Sequence, residues 1–184
     1  MKTRMKLKEV ESYTWYAKHC ARMLEATYPE DYDKSESKET ILHLLRGKNR
    51  LFVAEEASRV IAFVGVLHHV FPKAYQIEPL IVDHQFRRQG IGGKLLELTE
   101  FKLKQEGVHT LFITAQDTDS STNLSGRDLY ADNPLALLAN IEFFNHPMRF
   151  YEKRGYHITG IIPDANGFGR PEYILSKRIL PWDK

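Results

Sequence analysis

A short basic, glycine-rich stretch, FRRQGIGGK at residues 86–94, has the composition of an anion-binding turn. Glycines let a ligand approach the backbone closely, and the first amides of a following helix carry partial positive charge. The residues with these properties are Arg87, Arg88, Gly90, Gly92, Gly93 and Lys94. A pyrophosphate would suit such a turn. The loop alone is equally compatible with a basic surface turn in which glycine only eases a strand-to-helix connection.

Two common nucleotide-binding patterns do not fit this stretch. The P-loop pattern G-x-x-x-x-G-K-[ST] fails because Leu95 follows Lys94 and no glycine stands at the required offset. The dinucleotide pattern G-x-G-x-x-G begins at Gly90, but Leu95 occupies its third glycine position. An anion held here is therefore not held in either of these two ways.

The composition predicts one globular domain over residues 1–184, with 42% hydrophobic residues to form its core. The 26 basic residues nearly balance 24 acidic ones, so nothing demands a nucleic acid or an anionic membrane as partner. No stretch approaches the roughly 18 apolar residues of a membrane helix. Cys20 is the single cysteine, which excludes an internal disulfide and favours a reducing cytoplasm. We interpret it as a small core or surface thiol.

The apolar periodicity predicts two helices, a hairpin and a third strand, then alternating helices and strands. The predicted elements are helices at 12–29 and up to Leu45, strands at 50–56, 59–70 and 75–83, a helix at 91–107, a strand at 109–115, helical pieces at 134–144 and 146–155, and strands at 156–162 and 172–180. A polar loop runs from Gln116 to about Asn133. This order predicts an α+β, three-layer fold with a mixed, mostly antiparallel sheet and helices on both faces.

Two features of these elements carry further expectations. Pro79 interrupts the strand at 75–83, and because proline cannot donate to a sheet, it predicts a bulge or a splayed strand. In the helix at 91–107, one apolar face is expected to contain Ile91, Leu95, Leu98 and Phe101. A second seam of Leu96 and Leu103 could face a partner subunit or pack beneath a loop of the same chain.

The glycine turn in its context resembles motif A of the GNAT acetyltransferase superfamily. The pattern [QR]-x-x-G-x-[GA] is satisfied by RRQGIG at residues 87–92, between the strand PLIVD and an amphipathic helix. The segment FYEKRGYHITG at residues 150–160 resembles a second hallmark of the superfamily. The resemblance implies a GNAT-like sheet in which a splayed strand pair binds the cofactor.

A narrower resemblance is to the chromosomal type of aminoglycoside 6'-N-acetyltransferase. It is carried by four segments: TYPEDY, TDSSTNLSGRDLY, NIEFFNHPMRFYEKRGY and GIIPDANGFGRPEYILSKRIL. The resemblance implies an amino-sugar acceptor, acetyl-CoA as donor and a homodimer.

The same resemblance implies roles in donor binding. Backbone amides from Gln89 through Gly90, Ile91, Gly92 and Gly93 to Lys94 would bind the pyrophosphate of coenzyme A, helped by the charges of Arg87 and Arg88. The backbone of Leu80, Ile81 and Val82 would pair with the pantetheine arm. An amide near Leu80 would polarise the thioester carbonyl and stabilise the oxyanion.

Tyr151 would protonate the departing thiolate, since a phenol pKa of about 10 is well matched to a thiol near 8.5. Its alternative is a core tyrosine on an amphipathic helix. Glu78 is the best local base for the attacking amine, directly or through water, and Gln76 lies on the same strand face. The related enzyme has glutamate at position 76 and histidine at position 78, so one carboxylate is present in both proteins but lies two positions later in this chain.

A polycationic substrate needs anionic and aromatic walls. Tyr28 and Asp117 are the first candidates to bind it, together with Gln76 and Glu78. Other acidic residues are Glu30, Asp31, Asp33, Asp119, Asp128 and Asp132, for which capping and turn roles are the alternative.

No metal site is expected. Adjacent strand residues point to opposite faces, so His68 and His69 cannot easily share one ion and are interpreted as structural. Two other functions stay open: an N-acetyltransferase acting on a polyamine, peptide amine or other metabolite, and a non-catalytic acyl-CoA-binding module.

Overall fold

The computed structural model describes residues 5–117, 120–144 and 146–182. The chain forms two compact units, the first of Met1–His109 with Ile179–Lys184 and the second of Thr110–Arg178. Each unit is described by itself below. The expectation of a single domain over residues 1–184 stays a prediction.

The described residues of the first unit form four strands and three α-helices. In chain order they are β1 (Lys6–Glu9), α1 (Trp15–Thr27), α2 (Lys34–Leu44), β2 (Arg50–Glu56), β3 (Arg59–His68), β4 (Ala74–Val82) and α3 (Ile91–Gln105), with a 3₁₀ turn at His84–Phe86 between β4 and α3. The strands pair antiparallel in the order β1-β2-β3-β4. The predicted helices, hairpin and third strand are confirmed here.

Three strands and two short helices occur in the described part of the second unit. They are β5 (Thr110–Gln116), α4 (Pro134–Leu138), α5 (Met148–Glu152), β6 (His157–Ile162) and β7 (Glu172–Arg178). β7 pairs antiparallel with both β5 and β6. The predicted helical pieces at 134–144 and 146–155 are each reduced to a five-residue helix.

The core of the first unit lies between its sheet and helices α1 and α2. Leu24, Ile41, Leu51 and Phe63 have no exposed surface, and they pack in one apolar cluster. Cys20 belongs to the same cluster, and burial raises the pKa of its thiol well above the ordinary range. The structure thus places Cys20 as a core thiol, because a buried thiol that resists ionisation is a poor nucleophile.

Helix α3 buries a different set of side chains from the predicted one. Ile91 and Leu95 are buried as expected, but Phe101 is 56% exposed. Leu96 and Leu103 are fully buried within the chain, so this seam is not available to a partner subunit. The buried stripe of α3 is rotated towards Leu96, Thr99 and Leu103 because those positions share a face at helical spacing.

Every strand pairing given above is antiparallel, and the mixed α/β architecture agrees with the fold class expected from the sequence. Within the described ranges, no helix is long and apolar enough to cross a membrane.

Candidate active site

Strand β4 is irregular at Glu78 and Pro79. Its pairing with β3 joins Val64 to Leu80 and Val66 to Ile77, so Gly65 alone faces the two residues Glu78 and Pro79. The Glu78–Pro79 peptide is cis. The bulge predicted from Pro79 is confirmed, and bulges of this kind re-aim side chains at functional sites.

Gly65 makes this bulge sterically possible. A β-carbon at position 65 would meet the carbonyl oxygen of Glu78 at 2.4 Å and a methyl group of Leu44 at 2.6 Å. Only glycine allows such a close approach of two backbones. A glycine inside the apolar run VIAFVGVL is the sequence signal for such a bulge or close approach, although Gly65 is not among the predicted site residues.

The side chains of Gln76 and Glu78 form a hydrogen-bonded pair on β4. The Gln76 Nε2 amide donates to Glu78 Oε2 at 2.6 Å, and His69 Nε2 lies 2.6 Å from Gln76 Oε1. Gln76 is only 9% exposed, whereas Glu78 is exposed. The structure therefore brings together the two predicted residues and adds His69, which the sequence analysis interpreted as structural.

Two tyrosines of the first unit, Tyr28 and Tyr32, lie close together, and Tyr32 is within range of the Glu78 charge. Tyr28 is 43% exposed, and its ring centroid lies 6.5 Å from that of Tyr32. Burial raises the pKa of the Tyr32 phenol, and the negative charge of Glu78 adds to the effect. Tyr32 thus lies within electrostatic range of the Glu78 carboxylate, and the sequence analysis did not select it. Aromatic faces beside a carboxylate are a suitable environment for an ammonium group.

The amino-terminal end of α3 has no acidic cap. Gly90 is the N-cap in a left-handed conformation with φ of 79°, it offers no side-chain cap, and the first turn contains no acidic residue. Helix α2 shows the contrast, because Asp33 and Glu36 form a capping box at its start. The partial positive charge at the α3 start is therefore not neutralised by an acidic cap of the helix itself.

The space above the loop is open at its central glycine. A β-carbon at Gly90 would meet no atom of the chain within 4 Å. Arg88, Gln89 and Lys94 are exposed beside it. Arg87 Nε donates to the Val82 carbonyl at 3.0 Å, and Gln89 Nε2 donates to the Gln85 carbonyl at 3.2 Å. Through these contacts Arg87 and Gln89 brace the loop.

Residues 80–82 continue β4 beyond the bulge. Leu80, Ile81 and Val82 pair with Val64, Phe63 and Ala62 of β3. Ile81 is buried and packs in the apolar cluster of the first unit, whereas Leu80 and Val82 are half-buried. The alternation of strand side chains places Leu80 and Val82 on the opposite face from Ile81.

Tyr151 lies in the second unit near the end of α5. Its half-buried ring makes edge contacts with Phe150 at 4.9 Å and Tyr156 at 5.6 Å, measured between centroids. Its carbonyl oxygen accepts hydrogen bonds from the amides of Arg154 and Tyr156. Gly155 then reverses the chain with φ of 82°. The segment EKRGY thus ends the helix and fixes Tyr151 between two aromatic rings.

Asp117 does not have the environment predicted for it. Its side chain has no exposed surface, and it accepts hydrogen bonds from the Ser121 amide at 3.0 Å, the Ser121 hydroxyl at 3.2 Å and the Thr122 hydroxyl. Tyr173 completes the cluster with a 2.7 Å contact to Thr122 Oγ1. These contacts anchor the polar loop and leave no exposed oxygen of Asp117 for an amine, and its role as a substrate ligand stays a prediction.

Two other acidic candidates have the capping or turn roles named as their alternative. Asp33 caps α2, and Asp128 accepts a hydrogen bond from the Tyr130 amide. Asp119 lies outside the described residues. No group of three or more histidine, cysteine or acidic side chains that could hold a metal ion occurs in the part of the chain that the structure describes.

The chain is similar to known acetyltransferases. The model of the acetyltransferase (GNAT) family matches residues 17–132. A crystal structure of an aminoglycoside 6'-N-acetyltransferase complexed with coenzyme A superposes with a TM-score of 0.90 at 28% identity, and it covers 97% of this chain and 99% of that one. The aminoglycoside 6'-N-acetyltransferase from Enterococcus faecium gives 0.89 at the same identity and coverage. A comparison with curated proteins finds no significant match.

Proposed function

Because the chain belongs to the GNAT family of acetyltransferases and its donor substrate is acetyl-CoA, we propose that it acetylates the 6'-amine of an aminoglycoside or a related amino sugar. The observation that carries the proposal is the exposed Glu78 carboxylate, with Tyr28 and Tyr32 in the same unit and Tyr32 within range of its charge. A protonated amino sugar is a cation that both kinds of group attract. Two solved aminoglycoside 6'-N-acetyltransferases of similar structure over almost the whole chain support the same acceptor.

The α3 loop is proposed to bind the donor. The backbone amides from Gln89 to Lys94 would hold the pyrophosphate of coenzyme A, since the helix start is uncapped by acidic side chains. Arg88 and Lys94 would add charge, while Arg87 and Gln89 keep the loop in shape through their contacts with backbone carbonyls.

Strand β4 is proposed to position the acetyl group. Leu80 and Val82 would pair with the pantetheine arm, with Ile81 anchoring the strand in the core between them. The amide of Leu80 would donate to the thioester carbonyl, which stabilises the negative oxygen that forms during attack.

The proposed chemistry is direct transfer from thioester to amine. The amine loses a proton to Glu78, directly or through water, and its nitrogen lone pair attacks the thioester carbon. The new carbon–nitrogen bond forms, the carbon–sulfur bond breaks, and the thiolate takes a proton from the Tyr151 hydroxyl. The nitrogen loses its second proton to solvent water as the acetamide forms, Glu78 releases its proton to solvent, and the Tyr151 phenolate is reprotonated from solvent. The products are the acetamide, free coenzyme A and one released proton.

A second candidate acceptor is a polyamine, a peptide amine or another metabolite amine. This candidate is favoured by Gln76. The related enzyme has a glutamate at position 76, so the surroundings of the substrate amine carry one negative charge less at this position in the present chain. A non-catalytic acyl-CoA-binding module is the remaining alternative, and the presence of both Tyr151 and Glu78 disfavours it.

A free-thiol release assay with acetyl-CoA tests all three. The panel contains kanamycin-type aminoglycosides with a 6'-amine, matched aminoglycosides that carry a 6'-hydroxyl, polyamines and peptide amines. We expect turnover with the 6'-amine compounds and none with the 6'-hydroxyl controls. Turnover confined to other amines would replace the aminoglycoside assignment. Binding of coenzyme A without turnover of any amine would leave a binding module.

The family resemblance also supports three proposals about context: a homodimer, a cytoplasmic location and a contribution to antibiotic resistance. Sedimentation velocity tests the dimer, cell fractionation tests the location, and the growth of cells expressing the protein on kanamycin tests resistance. A monomer at micromolar concentration, a protein outside the cytoplasmic fraction, or unchanged sensitivity would reject the corresponding proposal.

A further inference from the structure

We propose that His69 is a positioning residue that orients the Glu78 carboxylate through the amide of Gln76. The proposal rests on the proposed function of Glu78 as the base for the substrate amine. The structural evidence for it is a series of two 2.6 Å contacts. One joins His69 Nε2 to Gln76 Oε1, and the other joins Gln76 Nε2 to Glu78 Oε2.

The charge of Glu78 sets the direction of every hydrogen bond in this chain. An ionised carboxylate only accepts, so the NH₂ group of the Gln76 amide must face it. The amide oxygen then faces His69, and an oxygen acceptor requires that His69 Nε2 carry the proton. His69 therefore prevents the Gln76 amide from turning over, and the amide in turn holds the carboxylate.

The backbone on both sides of this chain is fixed. The His68 amide donates to Asn49 Oδ1 at 2.8 Å, and the His68 ring packs edge-on against Tyr75 at 4.8 Å. His68 pairs with Tyr75 across the β3–β4 ladder, and Leu67 pairs with Gln76. His69 follows directly after this anchored pair and comes from a different strand end than Glu78. It thus adds a side-chain link across the hairpin to the backbone pairing of Gln76 with Leu67.

The chain of contacts predicts a specific kinetic pattern. With an amine acceptor identified in the release assay, His69→Ala should lower kcat about tenfold, because a small loss of alignment is costly in transfer reactions. The KM for acetyl-CoA should stay within about twofold, since the α3 loop is unaffected. His69→Gln should restore most of kcat, because its side-chain amide donates to the same acceptor over a similar reach. His43→Ala, at an exposed histidine of α2, is the matched control and should behave as wild type.

A structural role without positioning would give a different result. Loss of activity in both His69→Ala and His69→Gln, with a lower melting temperature in each, would overturn the proposal. Wild-type kcat in His69→Ala would overturn it as well. Neither result affects the proposed function, which depends on turnover of an amine by the wild-type protein.

Nuclear magnetic resonance gives a readout that does not need activity. In protein labelled with ¹⁵N-histidine, the His69 ring is assigned by its absence in His69→Gln. We expect an Nε2–H resonance that exchanges slowly enough with solvent to be seen, and we expect its loss in Gln76→Ala. A ring protonated only on Nδ1 would overturn the proposal, whether or not an acceptor amine has been found.

Discussion

The carbonyl oxygen of Glu78 lies only 2.4 Å from the point where a β-carbon on Gly65 would stand. The base proposed for the reaction is thus set in place by the absence of a side chain on the neighbouring strand. Gly65 lies opposite the bulge at Glu78 and Pro79. The bulge therefore requires a glycine at position 65.

Gly65→Ala should therefore damage stability and activity together. The new methyl group cannot be accommodated without moving the β4 backbone, and overpacking of this kind costs about 1–3 kcal/mol of unfolding free energy. Because the displaced backbone carries Glu78, kcat for the amine should fall by at least about tenfold. Urea unfolding and steady-state kinetics measure the two effects.

Gly160→Ala is the matched control for this substitution. Its β-carbon would meet the end of the Ile174 side chain at 3.3 Å, and that side chain can move by the small amount required. We expect a smaller loss of stability and unchanged kcat. A Gly65→Ala variant as active as wild type would show that the position of Glu78 does not depend on this contact.

The sequence predicted most of the regular elements because their periodicities are strong. Strand β1 was missed, since KLKE contains three charged residues in four and pairs only as the neighbour of β2. Its Lys8 forms a 2.7 Å ion pair with Glu55 of β2, a contact between residues distant in sequence that no local pattern reveals. Phe101 was placed in the core because apolar spacing alone does not distinguish a buried side chain from an exposed one.

The candidate site was predicted in the same uneven way. The glycine loop and the bulge at Pro79 follow from local backbone chemistry and could be found in the sequence. The link from His69 to Gln76 depends on hairpin register, and the contact of Gly65 depends on which residue faces the bulge. For Asp117, composition shows a carboxylate in a polar loop but does not show that Thr122 and Tyr173 enclose it.

Asp117→Ala should act on stability and leave substrate binding unchanged. It would remove the acceptor for Ser121 and Thr122, and unsatisfied buried donors each cost about 1–3 kcal/mol. We expect a loss of about 2–4 kcal/mol of unfolding free energy. The amine KM should not change at temperatures where the variant is folded.

Asp132→Ala is the control for that experiment, because Asp132 is an exposed carboxylate of the same loop. Its unfolding free energy should stay within about 0.5 kcal/mol of wild type. A large increase in the amine KM for Asp117→Ala, with unchanged stability, would return Asp117 to the substrate site.

The same cluster predicts an alkaline loss of stability. Burial, as the main cause, raises the pKa of Tyr173 from 10.0 to about 12. Between these values the folded chain keeps the phenol proton and the unfolded chain releases it, so the free energy of unfolding should fall as the pH rises through this window.

Tyr173→Phe tests the assignment of this alkaline effect. The variant lacks the ionisable group, so its unfolding free energy should fall less steeply with pH than that of wild type above pH 10. Burial also raises the pKa values of Tyr32 and Tyr75. These two tyrosines therefore contribute to the fall of unfolding free energy with pH in both the variant and the wild type. Denaturant unfolding at several pH values gives the comparison. Identical slopes would remove Tyr173 as a contributor.

Tyr151→Phe should lower kcat while acetyl-CoA affinity stays the same. The hydroxyl is the proposed proton donor, and general acid catalysis contributes roughly 10²–10⁴-fold to rate. The ring contacts with Phe150 and Tyr156 persist in the variant, so stability should change little. Tyr130→Phe, at an exposed tyrosine, should match wild type. An unchanged kcat in Tyr151→Phe would leave the tyrosine as part of the aromatic packing only.

Gly90→Val should weaken coenzyme A binding by at least about tenfold, or roughly 1.4 kcal/mol. A valine there projects into the open space above the α3 amides, where the pyrophosphate is proposed to bind. It also strains the backbone, because φ of 79° disfavours a β-branched residue. Gly47→Val separates the two effects, since Gly47 has φ of 62° and equally open surroundings but follows α2. Calorimetric titration with coenzyme A and thermal unfolding should show similar losses of stability in both variants and a loss of binding only in Gly90→Val. Equal affinities in the two variants would mean that the loop does not hold the phosphates.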